Sequence, residues 1–259
     1  MQYPTLSSDR NHRLTGSCKP CRVLDCAVFN GMAPRTVSGM GNVVIQREFR
    51  AGSYLDLNGA LADRVAVVAV GSVRIQWTLD DGRRQVLGFC FKGDVLQLPS
   101  RDPGVKAIAI TNGILYLVER SFFGRCREQN RGVDQWELAV ARENLEGMTA
   151  QALLLGRLSA EERMCLFLLD LAERIGSASD FGVAFTLPMN REDIADHLGL
   201  KSETVSRQFS RIKAEGLVRL PKPGKVIIPD SRKLVERVPY GLAGGETAAS
   251  QVKGKRSVA

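Results

Sequence analysis

Two groups of side chains in this chain have types and spacings suited to chemistry. The first is Cys18, Cys21 and Cys26, in the stretch CKPCRVLDC, which gathers three of the chain's six cysteines into nine residues. Thiolates are soft, anionic ligands and redox centres, so the stretch admits a disulfide staple, a metal site or thiol oxidation. Lys19 and Arg22 beside it favour the thiolate form electrostatically. Zinc is disfavoured, because His12 is the one histidine nearby. The second group is Glu203, Ser206 and Arg207 in KSETVSRQFSRIKAEG, which share one face of a helix. A carboxylate, a hydroxyl and a guanidinium are the groups that pair with base edges in duplex DNA. No enzyme is expected. The two histidines, His12 and His197, have no nucleophile elbow to serve, and GLAGG in the tail is a flexible linker rather than a phosphate loop.

The elements that must position these groups follow from length and composition. The chain has 259 residues, 44% hydrophobic and 25% charged, which suits one large or two ordinary soluble domains. No window reaches about 18 uninterrupted apolar residues, so no transmembrane helix is expected. The start, MQYPTLSSDRNHRLTG, lacks the apolar core of a secretory signal, and cytoplasm with reduced cysteines is expected. The net charge of +8 and the basic run Lys201, Arg207, Arg211, Lys213, Arg219, Lys222, Lys225, Arg232, Lys233 suggest a phosphate-rich partner.

Residues 1–17 carry no periodicity and read as disordered. Residues 36–120 read as short Val- and Ile-rich strands broken by glycines. NVVIQREF, VAVVAVGSVRIQWTLDDGRRQVLGFCF and VKAIAITNGILYLVER carry them. Asp81-Gly82 marks a hairpin, and Gly71 and Gly93 mark further turns. Several strands at this spacing with no helical pattern between them predict an antiparallel barrel or jelly roll.

From about Val133 the period becomes helical. Trp136, Val140, Met148, Ala152 and Leu155 form one stripe, and Leu138, Ala141 and Leu145 a second. One stripe would meet its own domain and the other a partner copy. SAEERMCLFLLDLAERIG opens with a capping box, Ser159 with Glu162, and closes at Gly176. SASDFGVAFTLPM reads as a loop leading into a short strand.

In LPMNREDIADHLGLKSETVSRQFSRIKAEGLVRL, Asn190 and Asp193 cap a short helix bearing Ile194 and Leu198, and Gly199 breaks it sharply. Ser202 caps a second helix with Val205, Phe209 and Ile212 inward and Glu203, Ser206, Arg207 and Ser210 outward. Gly216 ends it, and LVRLPKPGKVIIPD reads as a hairpin wing. Arg207 would pair with guanine O6 and N7 and Glu203 would accept from a cytosine amino group. Ser206 would reach a base or a phosphate. Lys201, Arg211 and Lys213 would hold phosphates.

Over about residues 18–230 these motifs resemble the CRP/FNR superfamily of bacterial transcription regulators. GSVRIQWTLDDGRRQVLGFCFKGDVLQL is similar to its central barrel, and LSAEERMCLFLLDLAERI to the helix after its dimerisation helix. The Glu203-x-x-Ser206-Arg207 pattern resembles the FNR/FixK branch, which reads a TTGAT-N4-ATCAA palindrome. The resemblance implies an α+β chain. It would comprise a cysteine-bearing segment (1–30), a cyclic-nucleotide-binding-type jelly roll (31–130), a dimerisation helix (131–158), a winged helix-turn-helix (159–236) and a disordered tail (237–259). It implies a homodimeric activator of transcription on double-stranded DNA, with the hairpin at Asp80–Arg84 touching RNA polymerase.

The family's cyclic-AMP receptors hold phosphate with an Arg-Ser or Arg-Thr pair. Here FKGDVLQLPSRDPGVKAIAIT offers Arg101 without that pair, so no cyclic nucleotide is expected. Oxygen-sensing members of the FNR branch hold a 4Fe-4S cluster on N-terminal cysteines and one barrel cysteine, which implies Cys18, Cys21 and Cys26 as ligands. Two departures stand out. Four residues rather than five separate Cys21 from Cys26, and Tyr116 occupies the barrel position of the fourth ligand. Cys90 and Cys126 are the substitutes, Cys90 being also a natural core residue, as Cys165 is. Cofactor-independent control of the FixK type and direct thiol oxidation are the competing readings.

Overall fold

The computed structural model describes residues 12–13, 44–57, 59, 61–96, 103–127 and 132–239, and of residues 12, 13, 124–127, 132, 133, 135–137, 139 and 143 the backbone alone. The chain forms two compact units, Met1–Gly147 and Met148–Ala259.

The first unit is built of antiparallel strands: β1 (His12–Arg13), β2 (Val44–Phe49), β3 (Tyr54–Leu55), β4 (Arg64–Val70), β5 (Val73–Thr78), β6 (Arg84–Cys90), β7 (Val95–Leu96), β8 (Val105–Ala109) and β9 (Gly113–Glu119). β5 pairs with β6, β4 with β7, β3 with β8 and β2 with β9. Such nested pairing is that of one long hairpin wrapped on itself, a jelly roll. It yields two sheets, β1-β2-β9-β4-β7 and β3-β8-β5-β6. Alternate residues turn inward, so Phe49, Val68, Leu115 and Leu117 of one sheet meet Leu55, Val73, Ile75 and Ala107 of the other in a single core. The β5–β6 turn closes as its sequence dictates: Gly82 takes φ 85, its N–H bonds Leu79 O, and Asp81 Oδ1 accepts from Arg83 N–H.

Three features differ from the sequence expectations. His12–Arg13, placed in an unstructured segment, pairs with Ile45 and Gln46. A helix α1 (Arg120–Arg127) follows β9, where strand signals gave way without a visible start. Ser177–Ser179, read as loop, is a strand.

Helix α2 (Gly132–Arg157) runs through the unit boundary. The second unit continues with α3 (Ala160–Ile175), β10 (Ser177–Ser179), β11 (Gly182–Thr186), α4 (Arg191–Leu198), α5 (Ser202–Ala214), β12 (Arg219–Lys222), β13 (Lys225–Ile228) and α6 (Ser231–Val235). Both halves of the Ser159/Glu162 capping box are made. The strands form one sheet, β10-β11-β13-β12, over a core that includes Met164, Leu168, Leu171, Phe185, Ile194, Phe209, Ile212 and Ile228. Structure also continues past the expected start of the tail at 237, because Val238 is buried against this unit. Residues 240–259 lie outside the described residues. Among the described residues no helix is long and apolar enough to cross a membrane.

Gly182 adopts φ +116, and a Cβ there would meet Ile228 O of the neighbouring strand at 2.1 Å. Gly182→Ala is therefore expected to lower unfolding stability by at least about 1–3 kcal/mol in chemical denaturation. Gly147→Ala, in open space within α2, is expected to raise it by about 0.5–1 kcal/mol.

Candidate nucleic-acid interface

Helix α4 starts because Asn190 Oδ1 accepts from Asp193 N–H at 2.8 Å. It stops because Gly199 enters the left-handed region, φ 62 and ψ 39. The Gly199 and Leu200 amides then both bond Ala195 O. The chain reverses within Gly199–Lys201 and re-enters a helix. In α5 the inward residues Val205, Phe209 and Ile212 are at most 2% exposed. That seat turns Glu203, Ser206, Arg207 and Ser210, spaced i, i+3, i+4 and i+7, to the exposed side. Lys201, Arg211 and Lys213 are also exposed. Gly216 ends the helix with φ 72, and Leu217 N–H bonds Ile212 O. Strands β12 and β13 follow as the wing, with Arg219 and Lys222 exposed and Lys225 half-buried.

The structure corrects one residue role and adds local bonds to three exposed side chains. The N-cap of α5 is Lys201, which makes no side-chain cap bond, and Ser202 is the first helical residue. A Ser side chain one position into the helix no longer faces the free amides. Ser210 Oγ donates back to Ser206 O at 3.1 Å, which draws it onto its own helix. Arg211, its side chain 55% exposed, also fastens α5 to α3. Its Nη1 meets Glu161 Oε2 at 3.0 Å and its Nε meets Glu215 Oε1 at 3.0 Å. Arg237 closes the ring, with Glu161 Oε1 at 2.9 Å and Glu215 Oε2 at 3.0 Å. The hydrogen bond from Glu215 and the charge of Glu161 push the Arg211 pKa up. Finally, Thr204 Oγ1 accepts from Arg207 Nη2 at 3.3 Å and steadies its guanidinium. Thr204, three residues before Arg207 on one helix face, was legible from its spacing and was missed.

Arg191, unmarked in the sequence, lays its guanidinium 3.3 Å from the Phe209 ring centroid. Burial lowers its pKa. It joins α4 to α5 from above the core.

Along α2 the exposed side chains combine the two sequence stripes differently. Leu138 (71% exposed), Leu145 (66%) and Met148 (61%) lie in the open with Ala141 and Ala152, while Leu154, and Leu158 just past the helix, are buried. The open residues step by three and four, a heptad seam.

Cys18, Cys21 and Cys26 lie outside the described residues, as do Arg101 and its neighbours 97–102. Cys90 sits opposite Val73, 8% exposed, in the inter-sheet core. Cys126 lies on α1. Cys165 is fully buried, and burial, then the charge of Glu161, pushes its thiol up to about 11. Tyr116 is half-buried on β9, opposite Gln46 and Val67. Among the described residues no three His, Cys, Asp or Glu side chains group to hold a metal ion.

A jelly roll and a winged helix-turn-helix with an outward polar face define a DNA-binding protein built with a β sandwich. Residues 162–237 match the Crp-like helix-turn-helix domain. The transcriptional activator protein FnrL of Cereibacter sphaeroides is 30% identical over 88% of this chain and 94% of its own length. The nitrogen fixation regulation protein FixK of Azorhizobium caulinodans is 35% identical over 77% of this chain and 80% of its own length. The solved structure of FixK2 from Bradyrhizobium japonicum superposes with a TM-score of 0.67 at 29% identity, covering 76% of this chain and 98% of that one. The chain belongs to the CRP/FNR superfamily, in its FNR/FixK branch. It is a DNA-binding transcription regulator and not an enzyme.

The ion-pair ring separates two basic residues that sequence alone treats alike. Arg211→Ala is expected to lower the thermal midpoint at low salt, with the deficit shrinking in high salt as the wild-type ring is screened. Lys213→Ala should leave the midpoint unchanged in the same melts.

Proposed function

We propose that the protein is a homodimeric, cytoplasmic activator of transcription that reads a TTGAT-N4-ATCAA type palindrome. The observation that carries this reading is the exposure of Glu203, Ser206 and Arg207 together on α5 while its opposite face is locked in the core. One α5 enters the major groove of each half-site. Arg207 pairs with a guanine, Glu203 accepts from a cytosine amino group and Ser206 bonds a base or a phosphate. Lys201 and Lys213 hold phosphates and set register, and Arg211 also fastens α5 to α3. Two copies associate through the α2 seam of Leu138, Ala141, Leu145, Met148 and Ala152, which matches two-fold half-sites one helical turn apart. The exposed hairpin at Asp80–Arg84 presents Asp81 paired with Arg83 at 2.8 Å as a rigid contact for RNA polymerase. FnrL, an activator by name, supports activation.

The expected input is oxygen or redox state. Cys90 does not fit a shared cluster, because its thiol is enclosed between the sheets. The donor chemistry of Cys18, Cys21, Cys26 and Cys126 does: four thiolates are the ligand set of a 4Fe-4S cluster. When bound, such a cluster supplies an oxygen-labile group whose loss disfavours the DNA-competent dimer. A second reading, cofactor-independent control of the FixK type, is favoured by Tyr116 standing on β9 where the fourth thiolate would be. No cyclic nucleotide enters either reading, since the Arg-Ser or Arg-Thr pair is missing after Gly93-Asp94.

Titrations on specific and scrambled duplexes test the DNA contacts. Arg207→Ala should cost about 1–3 kcal/mol on the palindrome and relax discrimination at one guanine. Lys213→Ala should weaken both duplexes alike, and equal losses from the two variants on both duplexes would overturn the assignment of roles.

Anaerobic purification tests the input. A brown preparation absorbing near ~400 nm, with iron and sulfide in equal amounts, supports the cluster. The colour should vanish with Cys18→Ala, Cys21→Ala or Cys126→Ala and survive Cys90→Ala. A colourless anaerobic protein that binds the palindrome establishes the cofactor-independent reading.

A further inference from the structure

Helix α4 ends with carbonyls that have no partner within the helix, as every helix does. Here two of them are taken by side chains from elsewhere in the second unit. Gln151, on α2, donates its Nε2 to His197 O at 2.7 Å. Arg163, on α3, donates its Nη1 to Leu198 O at 2.8 Å. The same guanidinium donates Nη2 to Leu155 O at 3.0 Å and Nε to Leu158 O at 2.8 Å, which belong to the last turn of α2 and to its junction with α3. One planar cation thus fastens the end of α2 to the end of α4 with three charge-assisted bonds. Gly199 closes the joint sterically: a Cβ on it would lie 2.8 Å from Leu155 Cδ2 and 3.4 Å from Arg163 Nη1. Three residues beyond this joint, α5 begins.

We propose that Gln151 and Arg163 are positioning residues for the recognition helix, tying the helix-turn-helix to the end of α2 so that α5 follows that end as one body. The inference rests on the DNA-binding reading above and names the device that sets the angle of its reading head. Neither side chain touches DNA. They act through the carbonyls of His197 and Leu198, which fix where the turn starts. Specific binding needs α5 at one angle and depth, whereas non-specific phosphate binding does not, so loosening the joint separates the two.

Arg163→Ala removes three bonds at once and endangers the fold, so Gln151 carries the test. Gln151→Glu sets a carboxylate against the His197 carbonyl, and Gln151→Lys restores a donor. The full-length variants are titrated on palindromic and scrambled duplexes of equal length, with dimer content followed by sedimentation and amide exchange by mass spectrometry. Gln151→Glu is expected to weaken palindrome binding about tenfold, the scale of one lost hydrogen bond plus a repulsion. Scrambled-duplex binding and dimer content should stay at wild-type level, and exchange should quicken at Gly199 and Leu200. Gln151→Lys should recover palindrome affinity and exchange protection. Unchanged palindrome affinity in Gln151→Glu, or parallel losses on both duplexes, overturns the proposal. If wild type itself shows no preference for the palindrome, the DNA-site reading fails instead, and the exchange rates at Gly199 and Leu200 still decide whether Gln151 holds the turn.

Discussion

A recognition helix can present polar groups to a base edge only if its other face is anchored, and here the anchor begins at a single left-handed residue. Gly199 turns the chain between α4 and α5 with φ 62, a conformation that L side chains adopt at a cost. Its missing Cβ also lets Leu155 and Arg163 approach. Val205, Phe209 and Ile212 then drop into the core, each contributing on the order of 1.5–3 kcal/mol of burial. With that face immobilised, Glu203, Ser206 and Arg207 have no alternative to solvent. The exposure of the reading face is a consequence of the packing of the opposite one.

The same logic divides the basic residues. A net charge of +8 describes long-range attraction to a polyanion, but individual cations differ in what they can still do. Arg211 and Arg237 are held between Glu161 and Glu215 in a closed ring that ties α3, the end of α5 and the segment after α6. Arg163 caps carbonyls, and Arg191 covers Phe209. Arginine serves at 163, 211 and 237 because its planar fork satisfies several acceptors at once and remains charged, and at 191 because its flat face lies over an aromatic ring. The lysines at 201, 213 and 222 stay at the surface, where a compact ammonium suits a phosphate that slides past.

Much of this was legible in sequence, and the failures share a cause. The jelly roll followed from Val- and Ile-rich runs and from Asp81-Gly82. The helix-turn-helix followed from Asn190, Gly199 and the apolar triplet of α5, because each signal acts over three or four residues. Long-range partners were not legible. Glu215, four residues after Arg211, is a local partner that its spacing offers, but Glu161, the partner that ties Arg211 to α3, is fifty residues away in the chain. Ser202 was misplaced by one position because Lys201, a poor cap, takes the extended backbone geometry. The α2 stripes were split because a period of 3.6 and a heptad of 3.5 drift apart over a helix of 26 residues. Only burial showed which set stays open.

The cysteines show how far residue type alone carries an assignment. Cys90 and Cys126 are equivalent as thiols, and spacing gave no ground to choose. The register of the sheet does: Cys90 pairs with Val73, and both are inward residues of the inter-sheet core. A ligand drawn from there would have to leave an apolar cluster and carry its charge through it, or the core would have to admit an inorganic cluster and part its two sheets. Either costs more than a surface thiolate does. Cys165 obeys the same rule, its thiol pushed up to about 11 by burial and by Glu161. Chemistry that depends on a thiolate therefore belongs to cysteines outside both cores. Of the two cysteines whose side chains the structure describes, Cys90 and Cys165, neither meets that condition.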